Sequence, residues 1–231
     1  PPPAPPLAWA ERGPLAQAAL AQPGAASAAR LTVVGRPREV KPREGMLIVT
    51  VESGDVLPAL PRGLPSPPPA VTLYKVLLGE ATWRRVEASL NRPNTLLIAD
   101  GYAVPNVKAG TVTLLARFAT AKSAPPEARP GVMRIQLTGR PGQAIHHGPT
   151  VLTALTSRQA PRLPEGVPEP PPVTYLVYSV EKQWRPAAAA GAVQIDGYCL
   201  YDAELKSLTV LAQRVSARAE RPVLSGPGRR P

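Results

Sequence analysis

Leu60-Pro-Arg-Gly-Leu-Pro-Ser-Pro-Pro-Pro69 and Leu163-Pro-Glu-Gly-Val-Pro-Glu-Pro-Pro-Pro172 are identical at seven of ten positions. Two such decapeptides, offset by 103 residues, point to an internal repeat, and the match continues outward in one order. Gly35-Arg36-Pro37 pairs with Gly139-Arg140-Pro141, Tyr74 with Tyr175, Trp83-Arg84 with Trp184-Arg185, and Asp100-Gly101-Tyr102 with Asp196-Gly197-Tyr198. The offset drifts from 104 to 96, as short loop deletions would produce, chiefly loss of Asn91-Arg92-Pro93-Asn94 from the second copy. The chain therefore reads as copy one over 31–123, a linker over 124–131 and copy two over 132–220. An Ala/Pro-rich segment over 1–30 is expected to be flexible, although 15–20 could form a brief helix, and 221–231 reads as a basic Pro/Gly/Arg tail.

Period and punctuation give each copy the same order of elements. In copy one, 31–36 and 46–52 read as strands around a polar turn containing Pro42 and Gly45. Residues 57–69 hold too few backbone donors to join a sheet and read as a stiff connector of polyproline type. A third strand over 71–78 leads into a helix over 80–90, where Trp83, Val86 and Leu90 recur at helical spacing. Strands over 95–102 and 112–120 follow, joined by a turn around Pro105, Asn106 and Gly110. Copy two repeats this with strands at 134–140, 150–156, 173–180, 192–198 and 207–215, and a shorter helix from Glu181 near Trp184. Five strands with a helix between the third and fourth is the order of the OB-fold, whose exposed face binds oligonucleotides or oligosaccharides. The expected fold class is mainly β: two tandem OB-fold-like five-stranded barrels.

Composition narrows the function. Of 231 residues, 32 are proline and 18 glycine, yet 44% are apolar, which leaves enough material for a core. Lys and Arg number 27 against 16 Asp and Glu, a net charge of +11, which favours a polyanionic partner. GC-rich coding also enriches Arg, Ala and Pro together, so both readings of the charge stand. The one cysteine, Cys199, excludes an intramolecular disulfide and a thiolate zinc cage, and reads as a half-buried structural thiol. A reducing, cytoplasmic setting is expected. No apolar run reaches the ~20 residues of a bilayer span, so no membrane role is expected. The chain begins at Pro1 rather than methionine, as a trimmed product would.

Catalytic signatures are not found. There is neither a G-x-x-x-x-G-K-[ST] phosphate loop nor a G-x-G-x-x-G after a strand. His146 and His147 are adjacent, point to opposite sides of an extended chain and read as loop residues. Asp100 and Asp196 match between copies, but Asp-Gly at a strand end reads as turn chemistry. A non-enzyme with no cofactor and no metal is expected.

Leu31-Thr-Val-Val-Gly-Arg-Pro37, the run 45–52, the run 94–104 and Gly110-Thr-Val-Thr-Leu-Leu-Ala116 together resemble the first, second, fourth and fifth strands of bacterial single-stranded-DNA-binding proteins. The resemblance is one of pattern and covers about 180 residues in two copies. Departures are clear. The family's strand-three Trp beside basic residues is displaced here to the helix, at Trp83 and Trp184, and its acidic C-terminal tail is replaced by Gly226-Pro-Gly-Arg-Arg-Pro231. Single-strand binding needs a basic groove and aromatic platforms. Trp83, Trp184, Tyr74 and Tyr175 read as core. Arg36, Lys75 and Arg117 alternate away from apolar neighbours, as Arg140 does in copy two, where Leu176 and Gln213 replace Lys75 and Arg117. Tyr178 lies opposite the core face of its strand, and Tyr102 and Tyr198 follow Asp-Gly. The expected interface is Arg36, Lys75, Arg117, Tyr102, Arg140, Tyr178 and Tyr198, holding a single strand of DNA rather than RNA. The alternative is a protein-interaction module docking through the barrels and proline-rich segments. Exposed strand edges would also suit a homo-oligomer.

Overall fold

The computed structural model describes residues 5–54, 57–69, 71–125, 131–158 and 169–218. In chain order these form α1 (Gly13–Ala21), β1 (Gly24–Arg43), β2 (Met46–Ser53), β3 (Thr72–Gly79), α2 (Glu80–Leu90), β4 (Thr95–Asn106), β5 (Thr111–Ser123), β6 (Arg134–Arg140), β7 (Ile145–His147), β8 (Thr150–Ser157), β9 (Val173–Val180), α3 (Glu181–Ala188), β10 (Val193–Asp202) and β11 (Ser207–Ala217). Alternation builds the strands: on β3, Tyr74, Val76 and Leu78 are buried while Leu73, Lys75 and Leu77 turn outward. Helical spacing builds α2, which buries Trp83 and Val86, carries Glu80 at the positive end of its dipole and pairs Glu80 with Arg84 one turn on. The β1–β2 connection has two residues, Glu44 (φ 42°) and Gly45 (φ 76°). Positive φ at both makes it a type I′ turn, whose twist matches that of the strands.

The ladders of the first half close on themselves. β1 pairs with β2 and β4, β2 with β3, β3 in parallel with β5, and β5 with β4. The second half repeats the parallel step between β9 and β11 but closes differently. Residues 24–26 of β1 run parallel to 155–157 of β8, while Ala25 also stands in register with Arg140 of β6. β1 thus serves both halves, and the strands of this mainly β chain join in one mixed eleven-stranded sheet. Trp83 and Trp184 plug the two halves from matching helices, and one buried cluster runs from Val49 and Tyr74 through Met133 to Tyr175 and Val210.

Other expectations are corrected. The N-terminal segment, expected to be flexible, carries a turn of 3-10 helix at Trp9–Glu11, then α1 and the start of β1, and it buries Leu7, Ala16 and Ala19. Residues 57–69 hold no strand or helix, in agreement with their reading as a connector that stays out of the sheet, and Leu64 packs with that same N-terminal cluster. Neither Asp-Gly pair makes a turn. Both sit within strands at β-bulges: Asp100 is in register with Phe118 and Gly101 with Ala116, leaving Arg117 extra, and Asp196 and Gly197 leave Gln213 extra in the same way. Glycine is required there because a Cβ at Gly101 would lie 2.1 Å from the Leu115 carbonyl oxygen. His146 lies in β7, paired with Val151, rather than in a loop. Cys199 is fully buried, not half-buried, and desolvation pushes its thiol well above the usual range. Part of the 124–131 linker, residues 163–168 of the second proline-rich stretch and the 221–231 tail lie outside the described residues. No helix among the described residues is long and apolar enough to cross a membrane.

Candidate nucleic-acid interface

Lys75 anchors an outward face of β1, β2 and β3. Thr50 and Lys75 are in register, and the Lys75 ammonium donates to Thr50 Oγ1 at 2.8 Å. Glu39 continues this row on β1 and Thr113 on β5. The next row outward on the same face is Lys41, Ile48, Leu77 and Leu115, and Arg36, Glu52 and Leu73 form a third. Arg38 donates to Glu52 at 2.8 Å, and Lys41 lies 2.8 Å from Glu39. Glu39 is held below its ordinary value by the hydrogen bond from Lys41, with the charges of Lys41 and Lys75 adding to it. With Arg43 and Glu44 at the hairpin tip, the face carries five cations and three carboxylates around exposed Leu73 and half-buried Ile48 and Leu77. It is a mixed surface with a basic excess and apolar side chains between the charges.

The expected site residues do not all gather there. Arg36 and Lys75 share this face, both half-buried. Arg117 is exposed but sits four residues along β5 from Thr113, about 13 Å away at the usual strand rise. Arg140, also exposed, stands beside Ala25, eleven residues up β1 from Arg36, a path of about 36 Å. The tyrosines divide. Tyr102 is 1% exposed and donates to the Ser157 carbonyl at 3.4 Å, and Tyr178 is 0% exposed, its ring 6.0 Å from that of Trp9. Neither ring is available for stacking, which corrects their expected role. Burial also raises both hydroxyls above their ordinary range. Tyr198 is half-buried and in register with Arg134, whose guanidinium lies 5.9 Å over its ring, but on the β6–β10 side of the sheet.

Phe118, 54% exposed beside Arg117, was missed because strict alternation turns it inward. The bulge opposite Asp100-Gly101 turns both residues out, and the repeated Asp-Gly pair was its available signal. Asp100 is occupied by Arg30 and Thr32, and Asp196 by Gln136 at 3.0 Å. The two carboxylates are separated by β1 and β6, about 14 Å at the usual strand spacing, so they do not form an acid–base pair. His146 Nδ1 lies 2.7 Å from Glu181, and no group of three or more His, Cys, Asp or Glu that could hold a metal ion occurs among the described residues. Burial favours a raised value for Glu181, but hydrogen bonds from His146 and Arg185 outweigh it and hold the carboxyl below its usual value.

No protein-family model matches the chain, and no curated protein matches it. Solved structures do. The wild-type single-stranded DNA binding protein from Thermus aquaticus superposes with a TM-score of 0.51 at 14% identity, covering 87% of this chain and 98% of that one. A deletion mutant of the same Thermus aquaticus protein gives 0.50 at 14% identity, covering 89% and 99%. The likeness spans nearly the whole of both chains, and the fold is similar to that of a bacterial single-stranded-DNA-binding protein, as the sequence pattern led us to expect.

Proposed function

We propose that this chain binds single-stranded nucleic acid, DNA in preference to RNA, without catalysis, and that both halves are OB-type barrels. The strand lies on the outer face of β1, β2 and β3, its phosphates met by Arg36, Arg38, Lys41 and Lys75 and its bases by Ile48, Leu73 and Leu77. The observation that carries this reading is the convergence of those cations and apolar side chains on one outer face of a fold similar to a single-stranded DNA binding protein. With Tyr102 and Tyr178 buried, aliphatic contact replaces most of the stacking at this face. That predicts weaker base contacts than the roughly 1–3 kcal/mol of an aromatic platform, and a larger electrostatic share.

The test is fluorescence anisotropy of a labelled oligo-dT of about 30 nucleotides and of its duplex, at low and physiological salt. Preference for the single strand is expected, with a log–log salt slope near −0.7 per neutralised phosphate. Lys75→Ala should weaken binding and reduce the slope by about one such step. Equal weak binding to both forms would refute the reading. Exposed Val71 and Leu73, at 56% and 44%, favour a second reading, a protein-docking face, which would bind its partner with little dependence on salt.

A further inference from the structure

The two halves present different chemistry at matching positions. In the first, the row across β2, β3 and β5 is Thr50, Lys75 and Thr113; in the second, the row across β8, β9 and β11 is Ala154, Leu176 and Thr209. The neighbouring row changes from Ile48, Leu77 and Leu115 to Leu152, Tyr178 and Leu211. The first face is partly open, whereas all six residues of the second are fully buried although they point away from the barrel interior. The start of the chain covers four of them: Leu7, Ala16 and Ala19, helped by Leu64, pack with Leu152, Leu176, Tyr178 and Leu211 in one buried cluster.

A specific clasp holds this segment. Trp9 lies against Tyr178, and the Arg12 guanidinium stacks over Trp9 at 4.1 Å. Arg12 donates to Asp202 at 2.8 and 3.1 Å, to Glu204 at 2.8 Å and to the Trp9 carbonyl. The side chains of Arg12 and Asp202 are 4% and 2% exposed. A buried, multiply bonded ion pair is strongly disfavoured when one partner leaves, so it fixes the segment in one position. Nothing in these two rows is cationic, and a phosphate backbone displacing the segment would meet leucine, alanine and the neutral hydroxyls of Tyr178 and Thr209.

Building on the proposed function, we propose that residues 5–22 permanently occupy the outer face of the second half, and that a nucleic-acid strand is held by the first half alone. The two repeats have divided their work, one face kept for nucleic acid and the other for the chain's own beginning. The test is hydrogen exchange by mass spectrometry on the full chain, free and with oligo-dT, together with photocrosslinking to a bromodeoxyuridine-substituted strand. Amides of α1 should be protected, unchanged by the strand, and accelerated at least tenfold by Arg12→Ala, with β3 and β5 unaffected. Crosslinks should fall on β1–β3. Exchange of α1 at free-chain rates in the wild type, release of α1 by the strand, or crosslinks on β8, β9 or β11 would overturn the proposal. If Arg12→Ala does not fold, the wild-type measurements decide. No binding to oligo-dT overturns the nucleic-acid reading and the strand assignment with it, whereas exchange alone still decides whether the segment is seated.

Discussion

Replacing Gly101 by alanine tests the bulge on which the outward turn of Arg117 and Phe118 depends. The added Cβ would sit 2.1 Å from the Leu115 carbonyl oxygen and 2.8 Å from the Ala116 Cα. Both are backbone atoms, so no side chain can rotate aside, and β4 is paired on its other edge too, where Gly101 faces Leu31. Overpacking typically costs 1–3 kcal/mol, and a backbone-to-backbone clash in a doubly paired strand belongs at the upper end, about 3 kcal/mol. At 2–4 °C per kcal/mol for a chain of this size, Tm should fall by roughly 6–12 °C. Gly197→Ala, with its Cβ 2.3 Å from the Leu211 carbonyl oxygen, should behave alike. Gly13→Ala is the control: nothing lies within 4 Å of its Cβ, it begins α1, and alanine should be neutral or stabilising by up to about 1 kcal/mol. Circular-dichroism melts and urea titrations of the three variants decide. A Gly101→Ala protein within 1 kcal/mol of wild type, or a Gly13→Ala protein equally destabilised, would refute the steric reasoning.

Two further substitutions probe the core and the hairpin. The Tyr175 hydroxyl is buried without a hydrogen-bond partner among the described residues, so Tyr175→Phe should stabilise by about 1 kcal/mol at neutral pH, read by urea titration. Desolvation, then the nearby Tyr102 and Cys199, holds that hydroxyl well above its ordinary value of about 10. Its contribution is complete below pH 10 and is lost as pH rises toward the folded-state value, so the variant should also lose stability less steeply above pH 10. Glu44 sits at φ 42°, and Glu44→Asn supplies the Asn-Gly pair that type I′ turns prefer; a gain of about 1 kcal/mol, or 2–4 °C in Tm, is expected from thermal melts.

What the sequence discloses follows from which forces are local. Helix α2 and strands β6 and β9 match their reading residue for residue, because the spacing of Trp83 and Val86, the alternation of β6 and the run of β-formers in β9 are written directly into the chain. The beginning of β1 does not: 24–30 is mostly alanine, a residue with little strand preference, and it is extended because β6 and β8 offer it ladders. Tyr178 shows the same limit at the site. Alternation places it outward, which is correct, yet its ring is covered by Trp9 from the far end of the chain, a contact no local period can reveal. Arg36 and Lys75 were legible as a pair because β1, β2 and β3 follow one another in sequence. Arg117, and Arg140 at the matching position of the second copy, lie farther from that pair than parity alone suggests, because strand length separates residues that parity unites.

Sharing β1 between the halves has a consequence for how the chain can be divided. Among the described residues, the second half closes its ladders through residues 24–26, and its outer face is covered with help from residues 7–19. A fragment over 131–218 keeps every strand of the second repeat but lacks both. Its β6 and β8 would present unpaired edges, and Leu152, Leu176 and Leu211 would face water, an arrangement that favours association over folding. The fragment should therefore aggregate or melt without cooperativity. Fusing residues 5–30 to its N-terminus through a flexible linker should restore a cooperative transition and recover the fluorescence of a half-buried Trp9 packed against Tyr178. Size-exclusion chromatography and thermal melts distinguish the outcomes. A monomeric 131–218 fragment with a sharp transition would show that the second repeat closes by itself, without the ladder that β1 supplies.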